Sequence, residues 1–157
     1  AEEITEATVK EISSNRSDFL RINFANGDMV GHTGNFQAAC LAVSIVDLML
    51  ARLLKSCREH NYILIVTADH GNCEDMIKCT EEEASKWENL LWIPQDKMIT
   101  SHTLSKVPFY VFDPKLKKHH YQVRKEDLGL ANVANTILYL MGLKTRNLYL
   151  PSIIEER

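Results

Sequence analysis

No Cys-x-x-Cys pair occurs among Cys40, Cys57, Cys73 and Cys79. An intracellular protein with free thiols fits that spacing better than a disulfide scaffold, although Cys73 and Cys79 can pair under oxidation. No uninterrupted apolar run reaches the roughly 20 residues of a membrane span. The opening Ala-Glu-Glu-Ile-Thr-Glu lacks the basic and apolar regions of a signal peptide, so no membrane partner is expected. It also lacks an initiator Met, which suits a fragment or a processed chain. Nor is there an excess of basic residues. A net charge of −3 and a pI near 6.1 carry no footprint of a nucleic-acid surface. The one basic cluster, Lys115, Lys117 and Lys118 followed by His119 and His120, reads as a solvated loop. There is no internal repeat and no low-complexity segment. What remains is 157 residues, 45% hydrophobic and 25% charged, enough for one globular domain with a core.

Hydrophobic periodicity divides the chain. Residues 4–12 predict a helix whose apolar side carries Ile4, Val9 and Ile12, with Glu2, Glu3 and Glu6 favouring its first turn. Residues 19–24 predict a strand, and Asn26-Gly27 a turn at its end. Residues 35–60 form the longest helical pattern, with Phe36, Ala39, Cys40, Val43, Val46, Leu50, Leu53, Leu54 and Cys57 on one stripe and Asn61 as its stop. Residues 62–67 predict a strand buried on both faces. Strand, helix and strand together predict an α/β fold with a mainly parallel sheet flanked by helices. Thr80-Glu-Glu-Glu-Ala-Ser predicts a short acidic helix, packed down by Trp87, Leu90, Leu91, Trp92 and Ile93. A third strand is expected at 107–112, an edge strand at 121–123 and a helix at 128–141 capped by Gly142. That last helix carries Leu130, Val133, Ala134, Ile137, Leu138 and Met141 on its apolar stripe. The tail 148–154 is apolar enough to dock.

The chemistry concentrates in three segments. Residues 23–34 read Asn-Phe-Ala-Asn-Gly-Asp-Met-Val-Gly-His-Thr-Gly. Asp28 and His32 stand four apart there, so one turn of helix puts both on one face. Asp69 and His70 follow the strand at 62–67, and an ionisable pair ending an apolar strand needs a reason. His102 precedes the strand at 107–112. For it to reach the others, either the loop 101–106 folds over the sheet edge or that strand runs antiparallel, and both remain open. These five residues are expected to meet at one two-metal site. Carboxylate and imidazole ligands suit Mn, Zn, Fe or Co better than Ca. A metal pair can clamp a phosphoryl group, and it supplies the positive charge a net-acidic protein lacks.

Residues 23–34, Val66-Thr-Ala-Asp-His-Gly-Asn72 and Ser101-His-Thr103 followed by Val107-Pro-Phe109 resemble the cofactor-independent phosphoglycerate mutases of the alkaline-phosphatase superfamily. Gly129-Leu-Ala, Asn135-Thr-Ile-Leu and Met141-Gly-Leu143 are similar to that family's closing helix. The resemblance implies that Asp28, His32 and His102 hold one Mn2+-type ion and that Asp69 and His70 help hold a second. Mg2+, Co2+ or Zn2+ are alternatives. It implies a cytoplasmic, glycolytic enzyme that interconverts 3-phosphoglycerate and 2-phosphoglycerate through a phosphoserine. The family's nucleophilic serine, a further aspartate ligand, its substrate-gripping arginines and a catalytic lysine have no counterpart here, so no catalytic residue is assigned. The expectation is that residues 1–157 are the C-terminal part of a metal-binding, alkaline-phosphatase-like domain, with no second domain and no activity alone. Self-association through an exposed sheet edge is also expected. Two departures stand out: the segment 81–99 is long, and Cys73 occupies a place where a small residue is usual. The rival readings are another metal-dependent phosphatase or phosphomutase of the superfamily, and a non-catalytic metal-binding domain.

Overall fold

Thr5, Thr8 and Ile12 are buried on one side of helix α1 (Glu2–Ser14), while Ile4 is 39% exposed. The inward stripe is thus partly polar where Ile4, Val9 and Ile12 were expected. The two threonines lose little by burial, because each hydroxyl donates one turn back, Thr5 to the Ala1 carbonyl at 3.0 Å and Thr8 to that of Ile4 at 2.6 Å. This computed structural model describes residues 1–85, 94–116, 120–125, 128–144 and 148–156. The packing expected of Trp87, Leu90, Leu91, Trp92 and Ile93, and the basic residues Lys117, Lys118 and His119, lie outside the described residues.

Helix α2 (Asn26–Gly31) begins where a turn was expected, and His32 caps it in helical conformation. Helix α3 (Phe36–His60) follows the predicted span. Its ends have local causes. The Asn35 side chain accepts from the Ala38 amide at 3.0 Å, and Asn61 stops the helix in the left-handed region at φ 60°. Replacing Asn35 with Ala orphans that amide, and about 0.5–2 kcal/mol of stability should be lost in chemical denaturation. Both α1 and α2 pack against α3. By length and composition alone α3 could cross a bilayer. Its buried residues are Ala39, Ala42, Leu53, Ser56 and Cys57, whereas Cys40 and Val43, expected inside, are exposed.

Strand β1 (Leu64–Thr67) pairs with β2 (Phe109–Phe112), Leu64 opposite Phe112 and Thr67 opposite Phe109. The α/β class stands, and the strand direction is corrected. Among the described residues both strand pairings are antiparallel, not parallel. Residues 19–24 form no strand, and Phe19 is 51% exposed. A strand exists only when a neighbour supplies its ladder hydrogen bonds, and apolar composition cannot show whether one does. For the same reason β1 is half-buried rather than covered on both faces. Beyond the two strands the antiparallel course continues in isolated bridges, Gly71 with Thr103 and Ile77 with Met98. Helix α4 (Glu81–Ser85) has reciprocal caps. The Glu83 amide donates to the Thr80 hydroxyl at 3.2 Å, and the Thr80 amide donates to the Glu83 carboxylate at 3.0 Å.

Backbone contacts group into two units, Ala1–Pro114 and Lys115–Arg157. In the second, β3 (Tyr121–Val123) pairs antiparallel with β4 (Ile154–Glu156). A 3₁₀ turn (Leu130–Asn132) leads into α5 (Val133–Leu140), and Gly142 at φ +70° ends it. The buried face of α5 is polar, not the apolar stripe expected. Asn132 and Asn135 donate to the carbonyls of Pro151 and Leu150, each at 2.8 Å, and the Thr136 hydroxyl accepts from the Ile153 amide at 2.8 Å. A docked tail brings backbone polar groups inside with it, and these side chains satisfy them. Ser152, Ile153 and Ile154 are buried, while Leu148 to its N-terminal side is exposed.

Candidate metal centre

On α2 the four-residue spacing places the His32 ring one turn beyond Asp28, with its Nε2 3.1 Å from Asp28 Oδ1. The antiparallel pairing of β1 and β2 resolves the question of His102. It sets the start of β2 beside the end of β1, and the Thr103 amide donates to the Gly71 carbonyl at 3.0 Å. His102 thereby reaches α2. Its Nε2 lies 3.0 Å from Asp28 Oδ1 and 3.1 Å from His32 Nε2. The three ligand atoms form a nearly equilateral triangle.

The protonation pattern follows from the neighbours. His32 Nδ1 is 2.7 Å from the Thr100 carbonyl, which can only accept, so Nδ1 carries the hydrogen. In the neutral ring Nε2 then presents a lone pair toward the carboxylate. This is the arrangement by which an outer partner orients a metal-binding histidine. Asn72 Nδ2 donates to Asp28 Oδ1 at 2.8 Å, and this bond is the main reason the Asp28 carboxyl is held below its usual range; the contact with His102 adds to it, as do the charges of His32 and His102 when those rings are protonated. A carboxylate oxygen and imidazole lone pairs at this spacing call for a shared cation. Ligands at ~2.1 Å from one ion and at right angles to one another stand about 3.0 Å apart. The donor set therefore fits a divalent ion, and two histidines with one carboxylate on a single face leave coordination positions open for further ligands.

His70 stands at the side of this triangle. Its ring stacks on His102 with centroids 3.5 Å apart and planes 17° from parallel, and its Nε2 is 3.9 Å from Asp28 Oδ1. Ligand atoms of Asp28, His70 and His102 all lie within 4.8 Å of one another. The set with His32 is tighter, and its spacing is that of a single coordination shell. Asp69 does not join it. Its side chain is 88% exposed, and its carboxylate lies 3.6 Å from His70 Nε2.

Sequence reasoning missed the residues that tie these segments together. Asn72 is buried, and a Cβ at Gly31 would collide with its amide oxygen. The Glu74 carboxylate accepts from the Asn72 amide at 2.6 Å and from the Thr103 hydroxyl. The Cys73 thiol donates to the Gly27 carbonyl at 3.0 Å, and burial pushes its pKa up, which keeps it a donor. Asn72 was visible in sequence only as the last residue of the motif Val66-Thr-Ala-Asp-His-Gly-Asn72, and no local pattern shows that its side chain is buried against α2.

Known proteins bear on this arrangement. The chain is 44% identical over 154 residues to a probable 2,3-bisphosphoglycerate-independent phosphoglycerate mutase of Leptospira interrogans, covering 98% of this chain and 27% of that one. It is 38% identical to the 2,3-bisphosphoglycerate-independent phosphoglycerate mutase of Trypanosoma brucei brucei, over 99% of this chain and 28% of the relative. The fold superimposes on a Leishmania mexicana phosphoglycerate mutase crystallised at low cobalt concentration, with a TM-score of 0.84 and 37% identity over 99% of this chain and 28% of that chain. The chain thus spans about a quarter of the length of the relatives it matches. The family model of the Metalloenzyme superfamily matches residues 1–145, the stretch that holds Asp28, His32, Asp69, His70 and His102, and the chain belongs to that superfamily.

Proposed function

We propose that residues 1–157 are the C-terminal part of the metal-binding, phosphatase-type domain of a 2,3-bisphosphoglycerate-independent phosphoglycerate mutase. Such an enzyme interconverts 3-phosphoglycerate and 2-phosphoglycerate, a glycolytic step of the cytoplasm. The observation that carries the reading is the triangle of Asp28 Oδ1, His32 Nε2 and His102 Nε2, with sides of 3.1, 3.0 and 3.1 Å. The names of the relatives and the superfamily match support it.

In this reading Asp28, His32 and His102 hold one divalent ion, Mn2+ by preference. Asp69 and His70 contribute to a second ion whose other ligands come from elsewhere in the full-length enzyme. Bound ions of this kind neutralise phosphoryl oxygens and clamp the attacking and leaving groups. The chain's own residues prepare the site for them. Thr100 fixes the tautomer of His32, and Asn72 orients the carboxylate of Asp28. His102 stacks on His70 and so keeps the two ligand groups adjacent. Nothing in the chain matches the serine that the resemblance implies as nucleophile.

Isothermal titration with Mn2+ tests the reading. One site is expected on the wild-type chain, with no mutase turnover in a coupled 3-phosphoglycerate assay. A chain folded by circular dichroism that binds no Mn2+, Co2+ or Zn2+ would sink the metal reading. Turnover by the chain alone would overturn the assignment of its role as a part.

A further inference from the structure

The candidate ligands come from three stretches of chain, and Asn72, two residues after His70 on one of them, reaches the second through its side chain and the third through its backbone amide and Glu74. Asn72 is only 7% exposed. Its Nδ2 donates to Asp28 Oδ1 at 2.8 Å and lies 3.3 Å from the Asp28 backbone carbonyl. Both partners are acceptors, so the amide can point only one way. The other end, Oδ1, is buried against Gly31 with no hydrogen-bond partner among the described residues. A buried, unsatisfied acceptor costs stability. The backbone amide of Asn72 donates to Glu74 at 2.6 Å, and the same carboxylate accepts from the hydroxyl of Thr103, the residue after His102. A continuous path of hydrogen bonds therefore runs from Asp28 through Asn72 and Glu74 to the His102 loop.

We propose that Asn72 is the positioning residue of the metal centre, fixing the Asp28 carboxylate toward the two histidines and holding α2 in register with the turn that bears Asp69 and His70. This rests on the metal reading above. Asparagine suits the role because it donates to a carboxylate without adding charge. Aspartate would set two carboxylates against each other, and leucine would fill the volume without the bond. Gly31 belongs to the same device. Any side chain there meets the Asn72 amide, so glycine keeps the room in which Asn72 reaches Asp28.

The test uses the chain as it stands, with Mn2+ titrated by calorimetry. Asn72→Leu and Asn72→Asp should each weaken binding roughly ten- to hundred-fold, the range for losing an outer hydrogen-bond partner of a ligand. Gly31→Ala checks the same point without touching Asn72. Alanine is the better helix former, so α2 alone should gain from it, yet metal affinity should fall. Wild-type affinity in folded Asn72→Leu and Gly31→Ala would overturn the proposal. If Asn72→Leu fails to fold, Gly31→Ala decides it. A second readout needs no metal. The side-chain amide protons of Asn72 should be protected from exchange in the metal-free wild type, and that protection should be lost in Asp28→Ala. If the wild type binds no metal, the metal reading fails, while protected Asn72 protons would still support the link to Asp28 and unprotected ones would refute it.

Discussion

Asp28→Ala should abolish measurable Mn2+ binding, the largest functional effect expected of any single substitution in the chain. Asp28 supplies the only anionic ligand in the triangle, and its Oδ1 is the atom that both imidazoles approach, at 3.1 and 3.0 Å. Its removal takes away a ligand and the charge that offsets a divalent cation. The loss should therefore exceed the roughly ten- to hundred-fold expected for an outer partner. Calorimetry on wild type and variant checks this, and Mn2+ affinity within threefold of wild type would refute it. The same substitution should change the acid limb of stability. The Asp28 carboxyl is held below its usual range chiefly by the Asn72 amide, then by His102 and His32. A carboxyl depressed on folding stabilises the protein above its unfolded value, about pH 3.9 for aspartate. That contribution fades as pH falls through the depressed folded value. Asp28→Ala should lack this part of the acid dependence, which metal-free denaturation curves taken from neutral pH down to about pH 3 would reveal.

Leu53→Ala should be the most damaging change to the fold. Leu53 is 1% exposed on α3, the helix against which both α1 and α2 pack. Burying a leucine this completely stabilises by about 1.5–3 kcal/mol through area alone, and the cavity left by alanine adds to the loss. About 2–5 kcal/mol is expected. Among the described residues the other buried apolar side chains of this unit are Ile12, Ala39, Ala42, Cys57 and Met76, so few large ones there share the load. Against a typical total of about 5–15 kcal/mol, that loss is a large fraction. Urea denaturation measures it, and Leu53→Met, which keeps the volume, should recover most of the stability. The ion pairs of Arg52 with Glu2 and Glu6, at 3.6 and 3.9 Å, are exposed, and their removal should change little.

The site was legible in sequence wherever its geometry is local. Asp28 and His32 sit on one face because a helix repeats every 3.6 residues, whatever surrounds it. Asn35 and Asn61 bound α3 because capping and the left-handed turn are properties of a few adjacent residues. The reciprocal caps of Thr80 and Glu83 are local in the same way. Other features depended on the packed chain. Asn135 and Thr136 are buried although polar, because each finds a backbone partner in the docked tail that only the fold supplies, and Thr5 and Thr8 are buried because α1 packs that side inward, their hydroxyls bonded one turn back in the same helix. Residues 19–24 have a strand's composition but no paired neighbour among the described residues.

By itself, then, the sequence determined the superfamily motifs, the ends of α3 and the identity of the candidate ligands, since spacing within one turn of chain is set by backbone geometry. The tertiary structure decided which of those ligands meet. His102 joins Asp28 and His32 because β2 runs antiparallel to β1, Asp69 turns outward, and Asn72 is buried where it can hold Asp28. Those outcomes rest on hydrogen bonds between segments dozens of residues apart, whose register depends on how the whole chain packs rather than on any local run of residues.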